Sequence, residues 1–174
     1  MGAYQNEYLV FQTGLENADR FALYDPAKKT YKTLFRTNDY QGNKVTIRKG
    51  LFVYQDLTVH PRFNNQTYSD LFLYDLKNHN KKRLTFNKRL FLPELPPAAN
   101  KIAALSFDSA FNSYINIYNL NGEKIDTIKL ESDVVPFSLN FDNDQTISMI
   151  YRDNQANFYL AQLDLIIITK KILL

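Results

Sequence analysis

Leu71-Phe72-Leu73-Tyr74-Asp75, followed nine residues after the aspartate by Leu84, reads as an apolar strand, a turn and the start of a second strand. The same pattern occurs three more times. Phe21-Ala22-Leu23-Tyr24-Asp25 leads to Leu34, Ile115-Asn116-Ile117-Tyr118-Asn119 to Ile128, and Ala161-Gln162-Leu163-Asp164 to Leu173, always at the nine-residue offset. The markers Asp25, Asp75, Asn119 and Asp164 follow one another at steps of 50, 44 and 45 residues. Self-similarity at a period of about 40–50 residues marks a β-propeller or a related repeat array.

Upstream of each marker lies another apolar run: Tyr8-Leu9-Val10-Phe11, Leu51-Phe52-Val53-Tyr54, Ile102-Ala103-Ala104-Leu105 and Ile147-Ser148-Met149-Ile150. These begin 17, 24, 17 and 17 residues before the markers, so the second repeat carries extra residues within 55–69. Apolar residues at consecutive positions, rich in β-branched and aromatic types, describe strands buried on both faces rather than helices. Asp25-Pro26-Ala27-Lys28-Lys29, Lys77-Asn78-His79-Asn80-Lys81 and Asn119-Leu120-Asn121-Gly122-Glu123 carry turn chemistry, and the marker carboxylates and amide are read as turn caps.

The expected fold is therefore all-β: about fifteen strands in about four antiparallel propeller blades, with repeats over 7–36, 44–87, 91–131 and 134–174. The first blade is expected to be incomplete, because only residues 1–7 precede its opening strand. Such a chain would form an open arc, or a fragment of a larger propeller. Its first repeat would present Tyr8-Leu9-Val10-Phe11 and Phe21-Ala22-Leu23, and its last Ile147, Met149, Tyr159 and Leu163, as bare apolar faces prone to self-association.

These features resemble the TolB-type propeller repeat. Asp70-Leu71-Phe72-Leu73-Tyr74-Asp75-Leu76 and Lys82-Arg83-Leu84-Thr85 match the second half of that repeat. Pro93, Pro97 and Lys101-Ile102-Ala103-Ala104-Leu105-Ser106 match the first half of the next. Pro96-Pro97-Ala98-Ala99 stands where the family has Ser-Pro-Asp-Gly, and Leu165-Ile166-Ile167-Ile168-Thr169 stands where other repeats have a polar turn. The resemblance implies a non-catalytic interaction or scaffold module of a bacterial envelope or secreted protein, periplasmic by that likeness alone. Its alternative is an accessory, substrate-gating propeller of a prolyl-oligopeptidase-like or zinc peptidase whose catalytic domain lies outside this chain.

Composition excludes several chemistries. The 174 residues contain no Cys, which removes disulfides, thiolate metal sites and thiol catalysis. A net charge of +3 is too small to indicate nucleic acid, and the basic stretch Lys81-Lys82-Arg83 with Lys88-Arg89 reads as a solvated face. No apolar run approaches the roughly 20 residues of a membrane helix. His60 and His79 lack the spacing of a zinc site, no serine stands in a Gly-x-Ser-x-Gly setting, and the five glycines form no phosphate loop. Asp142-Asn143-Asp144 has half of a calcium loop without its distal carboxylate, and is read as a turn. Asn65-Gln66-Thr67 matches a glycosylation sequon at a level close to chance.

No catalytic, cofactor or metal residues are expected. The partner-binding element is expected in the long segment of the second repeat, which carries His60, Arg62, Phe63 and Tyr68 among polar residues, as long ordered loops often bind partners.

Overall fold

The computed structural model describes residues 3–12, 19–37, 45–60, 62, 66–131 and 134–165. They form fifteen strands in four sheets and no helix. Each sheet is an antiparallel meander whose strands follow one another in chain order. The first holds β1 (Ala3–Tyr4), β2 (Glu7–Gln12), β3 (Arg20–Asp25) and β4 (Thr30–Arg36). The second holds β5 (Ile47–Arg48), β6 (Leu51–Val59), β7 (Thr67–Asp75) and β8 (Asn80–Arg83). The third holds β9 (Phe91–Glu94), β10 (Lys101–Phe107), β11 (Ser113–Asn119) and β12 (Lys124–Lys129). The fourth holds β13 (Val135–Phe141), β14 (Thr146–Arg152) and β15 (Phe158–Asp164).

The first blade is complete, contrary to the sequence expectation. Ala3 pairs with Tyr8 and Tyr4 with Glu7. Gln5 and Asn6 both take positive φ, 50° and 67°, so a two-residue hairpin turns the chain back within the few residues available. The fourth sheet is the one with three described strands. The expected outer strand around Leu173, with the 166–174 run, lies outside the described residues.

Three buried layers join successive sheets. Leu9, Phe21 and Leu23 of the first meet Phe52, Tyr54, Phe72 and Tyr74 of the second. The opposite face of β6 and β7, with Val53, Leu71 and Leu73, meets Ile102, Ala104 and Tyr118 of the third. Ala103, Leu105, Ile115 and Ile117 then meet Leu139, Phe141, Ile147 and Met149 of the fourth. Neighbouring strand residues thus enter different layers, which is why the central strands read as apolar at every position. The first layer is aromatic: Phe21 lies 5.3 Å from Phe52 and 5.1 Å from Tyr54 between ring centroids, spacings at which ring pairs add to simple area burial. Among the described residues no buried layer joins the first sheet to the fourth, so the blades form an open arc.

The arc presents faces that match those expected only in part. In the last repeat Ile147 and Met149 are buried against the third sheet, Leu163 is half-buried there, and only Tyr159 of the residues expected there is exposed. The outward face of the fourth sheet carries Phe137, Ile150, Phe158 and Leu160 instead, the last 74% exposed. At the other end Leu9, Phe21, Ala22 and Leu23 are buried, and Tyr8 is exposed as expected. The outward face of the first sheet carries Tyr8, Tyr24 and Tyr31, aligned in register across β2, β3 and β4. Side chains alternate with a period of two, so a strand apolar at consecutive positions does not say which set faces its neighbour.

Three of the four markers cap turns as expected. Asp25 Oδ1 accepts from the backbone of Ala27 and Lys28, Asp75 Oδ1 from Lys77 and Asn78, and Asn119 Oδ1 from Asn121 and Glu123. Asp164 ends β15 opposite Thr146.

Candidate functional site

Asp70 and the polar residues at 142–144 are committed to structure. Asp70 is fully buried and accepts four hydrogen bonds: Arg83 Nη2 at 2.7 Å, Thr85 Oγ1 at 2.9 Å, and the backbone N–H groups of Asn87 at 3.1 Å and Lys88 at 3.0 Å. It ties the connector after β8 to β7. Asn143 Oδ1 caps its own turn through Gln145 and Thr146. Asp142 accepts from Ser148 Oγ and Gln162, and Asp144 accepts from the Ala98 N–H at 2.6 Å. The turn reading of 142–144 therefore stands. Among the described residues no group of three His, Cys, Asp or Glu could hold a metal ion. His79 occupies a positive-φ turn position in the β7–β8 hairpin, with φ 51°.

A second repeated turn escaped the sequence reading. Asp108 Oδ1 accepts from the backbone of Ala110 and Asn112, while Oδ2 accepts from Asn112 Nδ2 and Tyr114 Oη. Forty-five residues on, Asp153 does the same with Gln155, Asn157 and Tyr159. The Asn112 side chain, with the other donors, holds the Asp108 carboxyl down to about 2. For Asp153, desolvation acts upward, and the bonds from Asn157, Tyr159 and Gln155 outweigh it, so the net direction is also down.

The long segment of the second repeat is mostly strand rather than loop. β6 and β7 pair without a break from Leu51↔Asp75 to Val59↔Thr67. At the root of this hairpin Gln55 Oε1 accepts from the Leu92 N–H, and Ser69 Oγ donates to the Leu90 carbonyl. At the tip, the His60 N–H donates to the Gln66 carbonyl at 2.8 Å, and the Arg62 N–H donates to His60 Nδ1 at 3.1 Å. The His60 ring lies 5.8 Å from that of Tyr68. Thus His60, Arg62 and Tyr68 meet at one place, and Phe63 lies outside the described residues.

A cleft of about 580 Å³ opens between the second and third sheets, a feature the sequence reading did not foresee. The connector after β8 supplies Thr85, Phe86, Lys88 and Arg89, and the third sheet supplies Ser106, Asn116, Tyr118 and Lys124. Three cations and no carboxylate line it. Tyr118 is buried at its floor, where burial, with the Asp70 charge, pushes the phenol above its ordinary value. Phe86 stands 63% exposed at the rim with the Arg83 guanidinium 4.6 Å from its ring centre. The outer end is closed by contact between backbones: a Cβ on Gly122 would lie 2.0 Å from the Leu84 carbonyl oxygen. Lys82 Nζ also donates to Asn121 Oδ1 at 3.2 Å, so the β11–β12 turn holds the two blades at a fixed separation.

No protein-family model and no curated protein sequence matches the chain. Solved structures do. TolB from Acinetobacter baumannii is 17% identical at a TM-score of 0.67, over 92% of this chain and 38% of that one. Putative TolB from Agrobacterium tumefaciens is 10% identical at a TM-score of 0.63, over 91% of this chain and 57% of that one. A prolyl endopeptidase structure is 13% identical at a TM-score of 0.62, over 92% of this chain and 23% of that one. The chain thus spans less than two thirds of each of these structures, and its fold is that of consecutive β-propeller blades, as in the TolB structures.

Proposed function

We propose that the chain is a non-catalytic propeller module that works by binding protein partners, with the outward face of the fourth sheet as its main contact. The observation that carries this is the apolar patch of Phe137, Ile150, Phe158 and Leu160, all exposed. Ile150 and Leu160 are cross-strand partners, and Phe137 and Phe158 lie 5.6 Å apart. Soluble monomers rarely leave such contiguous apolar surface bare, and propeller blades bury this kind of face against another blade. The aromatic tip formed by His60 and Tyr68, with Arg62 beside it, is a smaller contact in the same reading.

The experiment is sedimentation of the purified chain at micromolar concentration, beside Phe158→Glu and Leu160→Glu. Association through this face predicts a species larger than the monomer that both substitutions dissociate. A compact monomer that binds no hydrophobic dye would overturn the proposal. Hydrolysis of peptide or ester substrates, lost on changing a single Ser or His, would overturn its non-catalytic part.

The likeness to a prolyl endopeptidase structure, at a TM-score close to those of the TolB structures, supports a second reading as an accessory propeller that gates or positions substrate. The coding sequence beside this segment discriminates. A downstream hydrolase domain supports the peptidase reading, and further repeats with a small α/β domain support the first.

A further inference from the structure

The cleft between the second and third sheets gathers positive charge. Lys88, Arg89 and Lys124 line it, and no Asp or Glu is among the lining residues. Asp70 is engaged with Arg83 and the connector backbone, and Glu123, next to Lys124 in the chain, with Asn119 Nδ2 at 2.6 Å. A concave wall lined by one sign of charge attracts ligands of the other sign.

The donors available select among anions. A phosphate is usually gripped by consecutive backbone N–H groups in a concave turn. This connector has such a pair, at Asn87 with φ 56° and at Lys88, but Asp70 already fills it from inside. What remains are flexible side-chain cations on two facing elements, Lys88 and Arg89 on the connector and Lys124 on β12 opposite Tyr118. Cations on two facing elements can each pair with a separate carboxylate along an extended chain. Phe86 at the rim, backed by Arg83, offers an apolar surface for an adjoining side chain, and Ser106 and Asn116 lie along the floor.

We infer that this cleft is a binding site for an extended acidic peptide segment carrying an apolar side chain, its carboxylates paired with Lys88, Arg89 and Lys124 and its apolar group against Phe86. The inference rests on the reading of the chain as a partner-binding module. It uses a different surface, so the two fail separately. Loss of self-association in Leu160→Glu with peptide binding intact leaves the cleft standing, and the reverse leaves the fourth-sheet face standing.

The test is fluorescence anisotropy on the full chain. The probes are a labelled peptide with glutamates alternating with serines around one phenylalanine, its glutamine counterpart, and a single-stranded oligonucleotide of equal charge. The glutamate peptide is expected to bind and to weaken with salt, and the glutamine peptide to bind far less. Lys88→Glu, Arg89→Glu and Lys124→Glu should each weaken binding by about twofold to fivefold, the scale of one exposed charge contact. Lys32→Glu and Lys129→Glu, outside the cleft, should leave it unchanged. Circular dichroism checks that the variants fold, and the triple reversal should gain binding to a lysine-for-glutamate peptide. Equal losses in all five single variants, tighter binding of the oligonucleotide, or no binding of the glutamate peptide would each overturn the inference.

Discussion

The Arg83 guanidinium meets Asp70 Oδ2 at 2.7 Å, with the carboxylate fully buried and the Arg83 side chain 32% exposed. The pair links the middle of one strand to the end of the next, since Asp70 lies within β7 and Arg83 closes β8 before the connector to the next blade. Thr85 and the backbone of Asn87 and Lys88 complete the carboxylate's coordination. Asp70 therefore sets the path of the connector that forms one wall of the cleft.

Asp70→Ala should destabilise the chain by about 3–5 kcal/mol, the usual cost of breaking a buried, hydrogen-bonded ion pair from one side. Asp70→Asn retains some acceptor capacity and should cost less. Urea denaturation checks both. A loss below about 1 kcal/mol in Asp70→Ala would show that the connector holds its path without the carboxylate.

Gly122→Ala tests the contact between the second and third blades. Gly122 has φ 91°, and its added Cβ would fall 2.0 Å from the Leu84 carbonyl oxygen, so backbone must move. The expected cost is about 2 kcal/mol or more, from strain and the disturbed blade contact together. Gly50→Ala is the comparison: its φ is 78°, but the nearest atom is the Tyr4 ring edge at 3.1 Å, and a side chain yields more readily. Thermal denaturation should rank Gly122→Ala below Gly50→Ala, and the opposite order would contradict the rigid-contact account.

Much of the fold was legible because burial on both faces leaves a plain mark. The runs at 51–54, 71–74, 102–105 and 115–118 all became central strands, and Asp25, Asp75 and Asn119 became caps. The orientation of the end strands was not legible, since Ile147 and Ile150 look equally apolar and only packing decides which faces the third sheet. β1 was hidden because it is two residues long and depends on positive φ at Gln5 and Asn6. The Asp108 and Asp153 turns could have been found. Asp108, Asn112 and Tyr114 recur as Asp153, Asn157 and Tyr159 at a constant step of 45, but a polar motif is missed when only apolar runs are aligned. The cleft was out of reach, because Lys88-Arg89 and Lys124 lie more than thirty residues apart and come together only when the second and third sheets pack.

Those two turns should be felt on acidification. The Asp108 carboxyl is held at about 2 against an ordinary value of 3.8, and that of Asp153 is lowered as well. A lowered folded-state value means that the carboxylate's contribution is fully present above pH 3.8 and is lost as pH falls from there toward 2. Asp108→Ala should therefore lower the melting temperature at neutral pH, and the gap from the parent chain should shrink through the same window. Melting curves between pH 7 and 2 check this. A gap that stays constant across the range would show that the charge of Asp108 contributes nothing.

A buried hydroxyl without a hydrogen-bond partner costs stability. Tyr54 is 1% exposed in the aromatic layer between the first two sheets, and its Oη has no hydrogen-bond partner. Burial, with the nearby Asp56 charge, drives its ionisation far above the ordinary range, so the phenol is neutral at every accessible pH. The ring is well held: Phe21 lies at 5.1 Å, Phe35 at 5.4 Å and Phe72 at 5.5 Å. Tyr54→Phe retains these ring contacts and removes a desolvated, unpaired polar atom whose burial costs about 1–3 kcal/mol. The variant should thus be as stable as the parent chain or more so, whereas Tyr54→Ala should lose about 3–5 kcal/mol through the cavity it leaves. Urea unfolding of the two variants side by side separates the hydroxyl from the ring. Destabilisation of Tyr54→Phe by more than about 1 kcal/mol would show that the hydroxyl has a bonding partner in solution.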